Sequence, residues 1–175
     1  PKLTGANVAF AIRARVVLLR DLGAPLSPFN AFQIIQGLET VAIRMKQHCS
    51  NAEKVVKYLE TEKKVKNVIY PTNHQGEIKE RAKRYMKGGY GSLVGMDVGT
   101  REAGSKFIDN LKMLYHVANI GDARSLAIHP ATTTHSQLND EELLAAGVTP
   151  GYVRLSIGIE HPDDIIGDIK QALAA

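Results

Sequence analysis

The segment at residues 152–159 carries an arginine in a pattern that suits the binding of an anion. Val153, Leu155 and Ile157 alternate with polar or small residues, so a strand here turns its apolar side chains to one face and Arg154 to the other. The rigid guanidinium of an arginine can bind a carboxylate or a phosphate through two parallel hydrogen bonds. Arg154 is therefore a candidate anion-binding residue, and an ordinary surface arginine is the alternative.

A second polar segment, residues 119–126, offers a different way to receive an anion. It contains Gly121 and several short polar side chains, among them Asp122 and Ser125. Successive backbone N–H groups beside a glycine form concave nests that accept anions. This composition is compatible with an anion site but does not by itself select a ligand.

Three other groups of residues do not support a site. His129 and His135 are six residues apart with no acidic helix around them, which matches none of the usual zinc spacings, so no metal site is predicted. The glycines of residues 87–91 lack the order of a phosphate-binding loop and are expected to form a turn. Cys49 falls on an apolar helical stripe and is expected to be a core residue rather than a nucleophile.

The hydrophobic spacing predicts the elements that must position these residues. An amphipathic helix is expected at residues 7–22, ended by Gly23, and a long helix at residues 28–62, with Ser27 as its N-cap. Further strands and helices are expected in the order strand 65–70, helix 77–86, strand 92–98, helix 101–111, strand 114–118, loop 119–138, helix 139–147, strand 152–159, and a helix from Pro162. Three to four strands with intervening helices predict an α+β sandwich, with a mainly antiparallel sheet covered by helices on one face.

Composition narrows the class of protein. The chain has 175 residues, of which 44% are hydrophobic and 23% charged, as expected for a globular domain. No apolar run approaches the ~18 residues that a membrane helix requires. The net charge of +4 is spread among acidic residues, which disfavours nucleic-acid binding. A single cysteine suits a reducing compartment, so we expect a cytoplasmic protein that contacts neither membrane nor nucleic acid.

Several ordered motifs resemble the Cys/Met-metabolism family of pyridoxal-phosphate enzymes, over nearly the whole chain. The motifs are residues 26–32 (Leu-Ser-Pro-Phe-Asn-Ala-Phe), 36–40 (Gln-Gly-Leu-Glu-Thr) with Arg44, Met45 and His48, 121–126 (Gly-Asp-Ala-Arg-Ser-Leu), 129–136 (His-Pro-Ala-Thr-Thr-Thr-His-Ser) and 153–160 (Val-Arg-Leu-Ser-Ile-Gly-Ile-Glu). The γ-lyases and γ-synthases of the family usually carry arginine and lysine where this chain has Gln36 and Glu39. The chain resembles the O-acetylhomoserine sulfhydrylase branch at these two positions and also along residues 122–129.

The resemblance implies an activity and roles for two residues. Enzymes of that branch replace the acetate of O-acetylhomoserine with sulfide and so make homocysteine, using pyridoxal phosphate as electron sink. The strand arginine of the family, which matches Arg154, holds the substrate carboxylate, and the serine of the Ser-Leu pair, which matches Ser125, assists it. No role is implied for His129, Thr132 or His135.

The resemblance also implies that this chain is the C-terminal part of a larger, homo-oligomeric enzyme, a tetramer in the family. Residues 1–26 would be a remnant of the large cofactor-binding domain, 27–62 a long connecting helix, and 63–175 the small domain of a fold-type I transferase. The Schiff-base lysine and the other cofactor-binding residues belong to the large domain, and Lys2 lies in no such motif. We therefore expect no catalytic or cofactor-binding residue in this chain and no activity from it alone.

Two other functions remain open from the sequence. One is the related activity of a methionine γ-lyase or a cystathionine γ-synthase. The other is a non-catalytic module that keeps the small-domain fold to bind a carboxylate or to support assembly.

Overall fold

The structure is a computed structural model that describes residues 7–175. It divides into a first unit that ends at Val41 and a second unit, Ala42–Ala175. The first unit contains the helices α1 (Ala9–Arg13) and α2 (Arg20–Leu22), joined by a π-helical segment at Ala14–Leu19. Gly23 ends this helical segment in the left-handed conformation, with φ of 63°. Glycine is favoured there because it lacks the Cβ that makes this conformation costly.

The predicted long helix is divided at Thr40. Helix α3 spans Pro28–Glu39 and begins where the Ser27 hydroxyl accepts a hydrogen bond from Asn30 N–H at 3.1 Å. Helix α4 spans Val41–Leu59, and Thr40 between the two has ψ of 1°. The spacing of apolar side chains is similar on both sides of Thr40, so it does not reveal the break. The three-part division of the chain stays a prediction.

The second unit is built on a five-stranded sheet with the order β1-β2-β5-β4-β3. The strands are β1 (Asn67–Ile69), β2 (Leu93–Asp97), β3 (Tyr115–His116), β4 (Leu126–Ile128) and β5 (Tyr152–Ser156). Only β3 and β4 pair in parallel; the other pairs among these strands are antiparallel. A mainly antiparallel sheet was therefore predicted correctly, but β4 was not, because it lies inside the expected loop 119–138.

Helices cover the apolar face of this sheet. The remaining helices are α5 (Gly76–Tyr85), α6 (Arg101–Asp109), a 3-10 turn at Pro130–Thr132, α7 (Asp140–Ala145) and α8 (Pro162–Ala174). One buried cluster joins α4, α6 and α8 to strands β2 and β5; its members include Ala52, Val56, Leu59, Val94, Met96, Phe107, Val153, Leu155, Ile165 and Ile169. The alternation of β5 places Arg154 on the opposite face, at the centre of the sheet. Within residues 7–175, no helix is long and apolar enough to cross a membrane.

Candidate functional site

Arg154 lies in the central strand β5, which pairs with β2 on one side and with β4 on the other. Gly95 of β2 is opposite Arg154 on one side and Ile128 of β4 on the other. Gly95 leaves room for the ring of Tyr152 on this face, since a Cβ at Gly95 would lie 2.7 Å from Tyr152 Cε2. Burial raises the pKa of the Tyr152 phenol, and the positive charge of Arg154 partly counteracts that rise. The polar face of β5 therefore presents a half-buried guanidinium beside an aromatic ring.

The guanidinium of Arg154 has donors that the described residues do not satisfy. Its Nη2 donates to the Asn119 carbonyl at 3.2 Å. Its Nε is buried and has no hydrogen-bond partner among residues 7–175. A buried donor without an acceptor costs about 1–3 kcal/mol. An oxyanion at the fork of Arg154 would supply the missing acceptor, and a guanidinium can bind a carboxylate through two parallel hydrogen bonds.

The loop at residues 119–124 lies against the end of β5 and borders the guanidinium. Gly121 N–H donates to the hydroxyl of Ser156 at 3.3 Å, and Ile159 N–H donates to the Ala123 carbonyl at 2.9 Å. Gly121 has φ of 78°, a backbone conformation that glycine adopts without strain. These bonds hold the loop where the Asn119 carbonyl can contact Arg154.

Ser125, the second predicted site residue, is fully buried at the end of this loop. Its N–H donates to Glu160 Oε1 at 2.6 Å and its hydroxyl donates to Glu160 Oε2 at 2.9 Å. The same hydroxyl accepts a hydrogen bond from Gly158 N–H at 2.9 Å. Both donors of Ser125 are thus bonded within the chain. That Ser125 assists Arg154 in holding a carboxylate stays a prediction.

Two polar residues of α4 form hydrogen bonds with the segment that follows β5, residues 157–160. His48 Nδ1 contacts the Ile157 carbonyl at 2.6 Å, and because a carbonyl only accepts, this nitrogen carries the proton. Asn51 Nδ2 donates to the carbonyls of Gly158 at 3.0 Å and of Glu160 at 2.7 Å. Sequence reasoning assigned no role to His48, Asn51 or Glu160. The available signal was the presence of two polar residues on the apolar stripe of a helix, since buried polar groups require partners.

His129 is fully buried, and both of its ring nitrogens have hydrogen-bond partners within the chain. Its Nε2 contacts the Pro150 carbonyl at 2.8 Å and its Nδ1 contacts the Thr132 hydroxyl at 2.9 Å, so Nε2 carries the proton and Nδ1 accepts. Burial lowers the pKa of His129 and favours the neutral ring. His135 contacts its neighbour Thr134 instead. Within residues 7–175, no three residues of the types that ligate metals come together.

The lysines do not fit covalent attachment of pyridoxal phosphate. Such a lysine must lie in an enclosed site, because a desolvated amine is the one whose pKa falls enough to react. Every lysine from residue 7 to residue 175 is exposed, apart from the half-buried Lys79 on helix α5. Residues 7–175 therefore contain no enclosed lysine, and Arg154 stays a predicted anion-binding residue.

Comparison with known proteins shows similarity along almost the whole chain. The profile of the family described as "Cys/Met metabolism PLP-dependent enzyme" matches residues 4–174. O-acetyl-L-homoserine sulfhydrylase of Leptospira meyeri is 50% identical over 171 residues, which are 97% of this chain and 39% of that protein. Homocysteine synthase of Schizosaccharomyces pombe is 44% identical over 171 residues, which are 97% of this chain and 40% of that protein.

Two solved structures are similar to this fold. One, from Campylobacter jejuni, is provisionally described as an O-acetylhomoserine (thiol)-lyase and contains a pyridoxyl-lysine phosphate; its TM-score is 0.88 at 42% identity, covering 99% of this chain and 41% of that one. The other, O-acetylhomoserine sulfhydrylase of Wolinella succinogenes, has a TM-score of 0.80 at 32% identity, covering 98% of this chain and 46% of that one. The chain spans about two fifths of the length of its curated relatives. That it corresponds to their C-terminal part stays a prediction.

Proposed function

The chain belongs to the Cys/Met metabolism family of pyridoxal-phosphate-dependent enzymes, and we propose that it supplies the substrate-carboxylate site of an O-acetylhomoserine sulfhydrylase. Such an enzyme replaces the acetate of O-acetylhomoserine with sulfide to give homocysteine, a step of methionine biosynthesis. The names of the relatives support this branch of the family, since they are sulfhydrylases and homocysteine synthases.

The unsatisfied guanidinium of Arg154 is the observation that carries the proposal. An amino-acid substrate brings a carboxylate, and a carboxylate can accept from the Nε and Nη donors of one arginine at once. No acidic side chain among residues 7–175 forms a hydrogen bond or an ion pair with Arg154. The positive charge of Arg154 is therefore not neutralised by a neighbouring carboxylate of this part of the chain. In this proposal Arg154 binds the carboxylate, and Ser125 assists through the loop rather than by donating to the substrate.

We propose that pyridoxal phosphate is held by a separate, large cofactor-binding domain of the enzyme and not by the residues of this chain. The exposed lysines of residues 7–175 supply no enclosed amine for the cofactor. We also propose that residues 7–175 pack against that cofactor-binding domain. The chain alone is then inactive. A reducing, cytoplasmic setting agrees with the buried free thiol of Cys49.

The related γ-lyase and γ-synthase activities use the same class of substrate carboxylate and so predict the same role for Arg154. A non-catalytic module that binds carboxylates predicts it as well. Steady-state assay of the full-length, cofactor-loaded enzyme separates these alternatives: a sulfhydrylase forms homocysteine from O-acetylhomoserine and sulfide, a γ-lyase or γ-synthase prefers its own substrates, and a non-catalytic module forms no product.

Nuclear magnetic resonance of this chain tests the carboxylate site directly. The Nε–H signal of Arg154, identified by its absence in Arg154→Lys, is followed during titration with O-acetyl-L-homoserine. We expect a saturable downfield shift, because the buried donor gains an acceptor. The matched ligand O-acetyl-L-homoserine amide lacks the carboxylate and should leave the signal in place. An Nε–H signal that does not move, or that moves equally with both ligands, would overturn the proposal.

A further inference from the structure

Glu160 connects the end of β5 to the loop that borders Arg154. We propose that Glu160 is a positioning residue of the carboxylate site: its carboxylate fixes the loop at residues 119–124 and, through the Asn119 carbonyl, the orientation of Arg154. This inference rests on the function proposed above, and it assigns Glu160 no contact with the substrate.

The carboxylate of Glu160 has both oxygens engaged by a single residue of the loop. Oε1 accepts from Ser125 N–H at 2.6 Å, and Oε2 accepts from the Ser125 hydroxyl at 2.9 Å. Hydrogen bonds to an ionised acceptor are about twice as strong as neutral ones. Ser125 is fully buried, so water does not compete for these donors. The pair therefore fixes the C-terminal end of the loop at one point of the fold.

Glu160 is itself held by a rigid support. Asn51 of α4 donates to the Glu160 carbonyl at 2.7 Å and to the Gly158 carbonyl at 3.0 Å, which fixes the backbone on both sides of Ile159. Gly158 allows the loop to approach, because a Cβ there would collide with Glu160 Oε2 and with the Ala123 carbonyl. A side chain held by its own supporting contacts can position a neighbouring group precisely.

The loop transmits this position to the arginine. From Ser125, the chain runs back through Ala123, whose carbonyl accepts from Ile159 N–H at 2.9 Å, to Asn119, whose carbonyl accepts from Arg154 Nη2 at 3.2 Å. Loss of the Glu160 carboxylate leaves two buried donors of Ser125 without an acceptor and removes the side-chain anchor at this end of the loop. The bonds of Gly121 and Ala123 remain, so the Asn119 carbonyl shifts rather than detaches, and the contact that orients Arg154 weakens.

The same pairing also directs a ligand carboxylate to Arg154. Because both donors of Ser125 are bonded to Glu160, an incoming carboxylate could bind Ser125 only by displacing the half-buried carboxylate of Glu160 from two charge-assisted hydrogen bonds, which is unfavourable. The donor that remains unsatisfied is Arg154 Nε. Glu160 therefore occupies the donors of Ser125, and the donor left without an acceptor among residues 7–175 is that of Arg154.

Variants of Glu160 in this chain test the inference, with the Arg154 Nε–H signal and the dissociation constant of O-acetyl-L-homoserine as readouts. Glu160→Ala should move the Nε–H signal in the absence of ligand and weaken binding at least about tenfold, ~1.4 kcal/mol. Glu160→Gln keeps an oxygen for Ser125 N–H but leaves the Ser125 hydroxyl hydrogen without an acceptor, so it should weaken binding less than Glu160→Ala. Glu102→Ala, at an exposed carboxylate on α6, is the matched control and should change neither readout.

A purely structural Glu160 would lower the melting temperature but leave the Nε–H signal and the affinity of the folded protein unchanged, which would overturn the inference. If Glu160→Ala does not fold, Ser125→Ala carries the test, because it removes one of the two bonds and should also move the Nε–H signal. Unchanged binding in Arg154→Ala would overturn the proposed function itself. Weakened binding in Arg154→Ala together with unchanged binding in Glu160→Ala would overturn only the role of Glu160.

Discussion

Arg154 is placed so that its side chain can be shortened without removing core packing. Its neighbours Val153 and Leu155 are fully buried on the other face of β5. In the full-length, pyridoxal-phosphate-loaded enzyme, we predict that Arg154→Ala lowers kcat/KM for O-acetylhomoserine at least about a hundredfold, ~2.7 kcal/mol. Arg154→Lys should recover only part of this loss, because lysine keeps the charge but not the planar fork. Steady-state rates and thermal melting are measured on the same preparations.

The melting curve decides whether the kinetic loss belongs to the site. Arg154→Ala should melt within a few degrees of the parent, since a half-buried polar side chain contributes little to the core. Activity within about threefold of the parent, under ~0.7 kcal/mol, or a loss of activity that only follows unfolding, would make Arg154 a structural residue.

For single residues, the sequence predicted on which face of its strand Arg154 lies, but not the hydrogen bonds that surround it. Alternation along one strand determines the face of Arg154, so local sequence was sufficient. The bonds between Glu160 and Ser125 join residues 35 positions apart, and no local pattern specifies them. Asn51 lies 107 positions from its partner Gly158. Such contacts arise only when α4, the loop and β5 have packed together.

Asp168 of α8 fixes the segment that leads from α6 into strand β3. Its carboxylate accepts hydrogen bonds from three consecutive backbone N–H groups, those of Lys112, Met113 and Leu114, each at 2.9 Å. Burial alone would raise the pKa of Asp168, but these bonds and that of Gln171 outweigh it, so the pKa lies below its ordinary value. The ionised carboxylate therefore stabilises the folded state.

We predict that Asp168→Asn lowers the free energy of unfolding by about 1–3 kcal/mol at neutral pH, since an amide offers one oxygen where three donors need acceptors. Because the folded pKa is depressed, the contribution of Asp168 is present above the unfolded pKa of about 3.9 and is lost as pH falls through the folded value. Urea denaturation from pH 7 to pH 3 measures both effects. Asp168→Asn should lose less stability on acidification than the parent.

Asp164→Asn on the same helix is the control for that measurement. Asp164 is exposed in the first turn of α8, so its replacement changes charge without removing buried acceptors. If Asp168→Asn and Asp164→Asn have the same stability and the same pH dependence, the backbone contacts of Asp168 do not contribute as argued.

Element boundaries show where periodicity alone fails. Strand β4 has three consecutive buried residues, so it shows no alternation, and hydrophobic spacing does not predict it. The spacing of apolar residues does not predict the break at Thr40, because the same apolar stripe continues beyond it in α4. By contrast, α7 was predicted from its capping residues, and Asn139 and Glu142 do form a capping box there. Signals of local backbone chemistry were thus more informative than side-chain spacing at the ends of elements.

At the scale of the whole molecule, the two units differ in how they bury apolar residues. The buried core lies in the second unit, Ala42–Ala175. In the first unit, helices α1 to α3 contain no buried residue. Large apolar side chains are exposed there, for example Phe29 at 67%, Phe32 at 56% and Ile35 at 54%.

An exposed apolar surface of several hundred Å² favours association, because burying it removes apolar area from water. We therefore predict that the chain forms dimers or larger species in solution, in a concentration-dependent manner, as measured by light scattering and analytical ultracentrifugation. The double variant Phe29→Ser/Phe32→Ser should shift the equilibrium toward monomer, while Tyr85→Ser, which removes an exposed aromatic residue from α5, should not. A chain that remains monomeric at high concentration, or a double variant that associates as strongly as the parent, would show that α3 does not form the associating surface.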